Sequence, residues 1–234
     1  MTSVRRALIP ALLLAFAGPA LAAQAPVVVV EGGAELTGRV RLVLPENAKA
    51  DATGIVVWLP GLRIDAAPAP ALMSSKDKRF EPRILAVAAG SSVRFPNLDS
   101  IYHNAFSLSP GNTFDMGLYR KGASRDIALK TPGIVRVYCN IHPEMAASVV
   151  VVDGNAFTVV RADGSFRIGG LPPGRHEVHV WSDVAGEQVS TLTFEAGRAT
   201  EWSPSLDAMK YQRAAHLNKF GKTYPKAKNG ADRY

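Results

Sequence analysis

The stretch Thr131-Pro132-Gly133-Ile134-Val135-Arg136-Val137-Tyr138-Cys139-Asn140-Ile141-His142-Pro143-Glu144-Met145 reads as a strand that runs into a tight loop. Thr131, Pro132 and Gly133 are turn residues, and the alternation that follows has the period of two of a half-buried strand. Val135, Val137 and Cys139 share the apolar face, while Arg136 points the other way. The sulfur therefore enters a core at the end of a strand. Cys139 is the only cysteine of the 234 residues. The loop then sets a thiol, an imidazole and a thioether at C-x2-H-x2-M spacing.

A second histidine stands upstream, in Asn97-Leu98-Asp99-Ser100-Ile101-Tyr102-His103-Asn104, at the entrance to another apolar run. Two histidines, one cysteine and a weak axial methionine make up the trigonal blue-copper set. Thiolate and thioether favour Cu(I), imidazole serves both oxidation states, and a long axial bond avoids imposing the tetragonal preference of Cu(II). A geometry held between the two states rearranges little when an electron arrives or leaves, and a rigid β-framework holds it. Structural zinc wants four strong donors, which methionine does not supply. A cysteine nucleophile would need an open cleft and an orienting third group, and a plain core thiol would leave the spacing unexplained.

Residues 71–153 resemble a small cupredoxin of the plastocyanin and amicyanin kind, a Greek-key β-sandwich. Phe80-Glu81-Pro82, then Val87, Gly90 and Val93-Arg94-Phe95, are similar to that family's second and third strands. The short ligand loop is closer to amicyanin than to plastocyanin. The resemblance implies one type 1 copper ion held by His103, Cys139, His142 and Met145. It also implies that Asn104 ties the two ligand loops together and supports hydrogen bonding to the sulfur. The His142 edge, beside Pro143, becomes the expected electron port, with apolar surroundings for transient redox partners. Met116 is read as a packing residue. His176 and His179, three apart in one strand, fall on opposite faces and cannot share a metal, and His216 is expected to be solvated. No H-x-H pair accompanies the set, so catalysis at further copper centres is not expected, nor an enzyme.

Around this unit, 47% of the chain is hydrophobic and 20% charged, with 20 Gly and 16 Pro, which excludes a disordered protein. The lone cysteine excludes a disulfide-stapled scaffold. Short valine-rich runs between glycines and prolines favour an all-β fold. Arg5 and Arg6, the apolar Ala7–Ala17 and the small Ala20-Leu21-Ala22 read as a signal peptide over residues 1–22, too short and interrupted to span a membrane. Export to a periplasm is expected, with no transmembrane span and no nucleic-acid partner.

Residues 23–62 hold two strand candidates, 36–42 and 54–59, and residues 154–204 hold five more: 157–160, 164–168, 176–181, 189–195 and 199–202. Arg161-Ala162-Asp163-Gly164-Ser165-Phe166, followed by Leu171-Pro172-Pro173-Gly174, resembles the carboxypeptidase regulatory-like (prealbumin-like) β-sandwich. Asp163-Gly164 is a hairpin signal. Since that family's first two strands precede its hairpin, the cupredoxin-like unit is expected to be inserted after Leu59, with Arg63–Pro70 as linker. The alternative is two tandem units with a loose N-terminal hairpin. Residues 205–234 read as a short helix to about Lys219 and a basic tail through Lys222, Lys226 and Lys228, either solvated or docking an acidic surface. Three functions follow: an electron carrier, a periplasmic Cu(I) carrier using the same ligands, or a binding module in which copper is structural.

Overall fold

The computed structural model describes residues 32–46, 54–66, 71–209 and 216–224. The signal segment and Lys226 and Lys228 lie outside them. In chain order the strands are β1 (Ala34–Arg39), β2 (Arg41–Val43), β3 (Ile55–Trp58), β4 (Ser74–Lys76), β5 (Arg79–Glu81) and β6 (Ile84–Ala88). Next come β7 (Ser92–Pro96), β8 (His103–Ser107), β9 (Phe114–Tyr119), β10 (Ser124–Ala128), β11 (Gly133–Tyr138) and β12 (Ala146–Val152). The last are β13 (Phe157–Val159), β14 (Ser165–Leu171), β15 (Gly174–Ser182), β16 (Gly186–Phe194), β17 (Ala199–Glu201) and β18 (Ser205–Asp207). The architecture is an all-β sandwich, with no helix among the described residues.

Strand periodicity builds a stack of layers separated by three apolar cores. In β3 every residue is buried, because its two faces serve different cores. Ile55 and Val57 join Val178 and Val180 of β15 against Leu36 of β1 and Phe166 and Ile168 of β14. Val56 and Trp58 turn the other way, with Trp181, onto Ile84 and Ala86 of β6 and Val150 and Val152 of β12. β12 repeats the device: Val149 and Val151 face a third core with Phe80, Val93, Phe95, Val135, Val137, Cys139 and Met145. Arg83 pairs with Asp183 across the middle layer, and the Arg136 guanidinium lies 5.4 Å over the Trp181 ring.

Strand pairing links the two ends of the chain. β1 lies between β14 and β17, β3 between β13 and β15, and β2 beside β18, so all three strands before residue 60 pair with strands after residue 156. Between them in sequence, β6, β12, β11, β8 and β9 form one five-stranded sheet. Gly38 marks how closely β1 meets its neighbour. A Cβ there would stand 1.7 Å from the Trp202 carbonyl oxygen, while Trp202 N–H donates to the Thr37 carbonyl at 2.9 Å.

Two expectations are corrected. Asp163-Gly164 does form a tight turn, with Gly164 N–H donating to Arg161 O at 2.8 Å. Its flanking strands do not pair, since β13 belongs to the β3 sheet and β14 to the β1 sheet. The turn carries the chain across the core because Phe166 and Ile168 must reach the far layer. The expected helix from 205 is also replaced at its start, as Ser205–Asp207 pairs in parallel with β2. Leu206 is buried in the first core, which a strand side chain achieves with both neighbours exposed. Residues 210–215, the middle of that expected helix, lie outside the described residues.

Candidate metal centre

The third core ends in a polar cluster where β8 and β11 run side by side, Tyr138 opposite Phe106. Every residue of β8 is buried, so His103 enters the protein at the strand's first position. Cys139 leaves β11 on its apolar face, fully buried as the alternation dictates. The loop that follows closes on itself: Cys139 N–H donates to Met145 O at 3.1 Å and Met145 N–H to His142 O at 3.0 Å. His142 is thereby folded back, its Nδ1 3.6 Å from Cys139 Sγ. One ligand atom each from His103, Cys139 and His142 lie within 4.8 Å of one another. Met145 is buried in the same core as Cys139, and Met116 packs half-buried against that core.

Donor orientation is set from behind. His103 Nε2 is 2.6 Å from Asp99 Oδ2. Burial alone would raise the Asp99 carboxyl, but the Lys78 N–H, the His103 imidazole and the Asp77 N–H outweigh it and hold it below the usual range. An ionised Asp99 can only accept, so the proton of neutral His103 sits on Nε2 and the Nδ1 lone pair is free. That Nδ1 is buried and makes no hydrogen bond. A buried imidazole nitrogen left bare is costly unless something else takes its lone pair, and here it stands beside a thiol and a second imidazole. This donor set fits a copper ion. Asp77 and Lys78, at φ 51° and 55°, form the tight turn between β4 and β5 whose N–H groups Asp99 also receives. Fully buried Asn97 shapes the same loop, donating to the Ile101 and Tyr119 carbonyls at 2.8 and 3.0 Å and accepting from Asp99 N–H at 2.9 Å.

Asn104 joins the two ligand segments. Its Oδ1 accepts Asn140 N–H at 3.2 Å, and its Nδ2 donates to Asp115 Oδ1 at 2.7 Å. Burial pushes the Cys139 thiol up, against the N–H groups of Asn104, Ile141 and His142, which favour the thiolate.

His179 and His176 lie outside this cluster: His179 stacks on Trp58, and the His176 ring is tilted against Phe194. His216 corrects the expectation of a solvated residue. Its ring stacks on Tyr138 at 4.1 Å, and its Nε2 donates to Pro143 O at 2.6 Å. Exposed Pro143 is therefore held by the C-terminal segment on the side where an open port was expected. No role at the site was read from the sequence for Asp99, Asp115, His216, Lys219 or Tyr224. Asp99 had a legible signal, a carboxylate four residues before a ligand-type histidine. The C-terminal contacts had none, lying 73 or more residues away from the loop.

No protein-family model matches the chain, and no curated protein does. Among solved structures, a purple cupredoxin from Nitrosopumilus maritimus is similar at 22% identity and a TM-score of 0.31, over 35% of this chain and 98% of that one. A reduced single-substitution variant of amicyanin is similar at 20% identity and a TM-score of 0.34, over 37% of this chain and 86% of that one. A copper-containing nitrite reductase from Thermus scotoductus SA-01 is similar at 22% identity and a TM-score of 0.34, over 47% of this chain and 28% of that one. Each likeness covers a minority of this chain.

Proposed function

We propose that this chain is an exported type 1 copper protein that carries electrons between redox partners in the periplasm. The observation that carries the reading is the buried, unpartnered Nδ1 of His103 beside Cys139 and His142. Copper, when bound, supplies a one-electron Cu(I)/Cu(II) couple. His103, Cys139 and His142 would hold it, with Met145 as a fourth, weaker donor.

Cys139 gives up its Sγ proton on binding, and the three N–H groups that point at the sulfur stabilise the charge left there. Asp99 keeps the His103 proton on Nε2 and fixes the ring. The apolar core excludes water behind the site, and Asn104 holds the two ligand segments at a constant separation. A rigid pocket of this kind suits repeated electron exchange, because little moves between oxidation states. Burial of His103, Cys139 and Met145 favours a resident ion over one handed to an acceptor. On the same reading, residues 71–153 are a cupredoxin-like unit inserted into a prealbumin-like sandwich, supported by the pairing of β1 and β3 with strands beyond residue 156.

Voltammetry of the copper-loaded protein tests the reading: a reversible one-electron wave, with an intense thiolate-to-copper band in the oxidised form, is expected. A tetragonal spectrum without that band would reject it. Asp99→Asn probes the positioning, because an amide no longer dictates which His103 nitrogen carries the proton. Copper affinity is expected to fall about 10–100-fold, measured by competition with a chelator, and an unchanged affinity would remove Asp99 from the site.

A further inference from the structure

The segment His216–Tyr224 meets the ligand loop from outside, at points that the loop does not satisfy itself. The loop's inward bonds join Cys139 to Met145, Met145 to His142, and Asn140 to Asn104. Its outward carbonyls at Cys139 and Pro143 are both taken by the C-terminal segment. Tyr224 Oη–H donates to Cys139 O at 3.0 Å, and His216 Nε2–H to Pro143 O at 2.6 Å. Lys219 N–H donates to Asn140 Oδ1 at 3.1 Å. Lys219 Nζ reaches Asp115 Oδ2 at 2.7 Å, the carboxylate whose other oxygen receives Asn104 Nδ2.

The segment is itself organised. Asn218 Oδ1 accepts the N–H groups of Phe220 and Lys222 at 2.9 and 3.0 Å, and Gly221 closes the turn on Asn218 O at 2.9 Å. The His216 ring lies between Tyr138, stacked at 4.1 Å, and Tyr224, edge-on at 5.2 Å.

We propose that His216–Tyr224 is a strap that positions the Cys139–Met145 loop, with His216, Lys219 and Tyr224 as positioning residues. A loop carrying three donors of one metal site must keep its shape when the charge on the site changes. Carbonyls facing only water would leave its outer edge free to move, whereas two side-chain donors and a ring stack fix both ends at once. The strap's influence on copper rests on the function proposed above; its hold on the loop does not.

Full-length protein with His216→Phe and Tyr224→Phe together tests the proposal, since both substitutions keep rings and remove the two donors to the loop. Amide hydrogen exchange is followed without copper. Cys139 and Met145 are expected to exchange about tenfold faster, as two hydrogen bonds of ordinary worth imply, while Val149–Val152 of β12 stay as protected as in the parent. In the copper-loaded oxidised variant the thiolate-to-copper band is expected to shift. Unchanged loop exchange overturns the strap, and so does faster exchange with an unshifted band, which would make the segment a mere cover. If β12 also loses protection, Tyr224→Phe alone decides in the same exchange assay: faster loop exchange supports the strap, and none overturns it. If the parent itself lacks the band, the electron-carrier reading fails and exchange alone judges the strap.

Discussion

Replacing Cys139 by serine is expected to abolish the intense visible band of the copper-loaded oxidised protein and to weaken copper binding by more than the roughly 100-fold that loss of an outer partner can cost. The band requires a sulfur-to-copper charge transfer, which a hydroxyl does not provide. A serine hydroxyl would also need to lose its proton in a pocket where burial already pushes the cysteine thiol up. The fold should survive, since the hydroxyl can accept the same N–H groups from Asn104, Ile141 and His142 that surround Sγ. Absorption spectroscopy and a chelator competition read the two effects. Met116→Leu is the control: its side chain packs, partly buried, against the core, so if it is a packing residue the band should be unmoved. A Cys139→Ser protein that kept its colour would end the case for a copper thiolate.

The second large effect concerns the middle layer. Trp181→Ala is expected to cost about 3–5 kcal/mol of unfolding free energy, the range for deleting a large buried aromatic side chain. Trp181 is 4% exposed and packs with Val56 and Trp58 on one sheet and Ile84, Ala86, Val150 and Val152 on the next. Its removal also takes the ring from beneath Arg136, worth about 0.5–1 kcal/mol more at a partly open site. Chemical denaturation of the parent should give one transition, and the variant should lose stability or separate into two steps as the layers uncouple. A loss below about 1 kcal/mol would mean that the two sheets stand independently and the shared core binds them little. Arg136 lies three residues before Cys139, so the same layer also anchors the strand that delivers the thiol.

Local alternation was a good guide wherever one strand face met one core. Val135, Val137 and Cys139 point inward as their shared parity requires, and all are buried. Continuous apolar runs were less legible: residues 54–59 read as a strand, but nothing local says that the two faces of β3, or those of β12, serve different cores. The Asp163-Gly164 turn shows the limit from the other side. Its residues specify a reversal of the chain, and only the layers on either side decide whether the two arms pair or part. The expected helix at 205 failed for a related reason. Leu206 gains more by pairing beside β2 and entering the first core than a short helix with a loosely periodic apolar face would offer.

What the sequence determined by itself is the chemistry of the donors: a thiol, an imidazole and a thioether on one loop, and a second imidazole at the head of a strand. Those identities are covalent facts, and their spacing on the loop follows from the chain alone. The tertiary structure decided which atoms face one another. It set Asp99 behind His103, so that Nδ1 is the free nitrogen, and it brought His216 and Tyr224 onto the loop's outer carbonyls and Lys219 onto the Asn140 side chain. The physical reason is that hydrogen bonds across 73 or 85 residues leave no mark on local sequence pattern. They exist only once burial of the intervening strands has fixed where both ends lie.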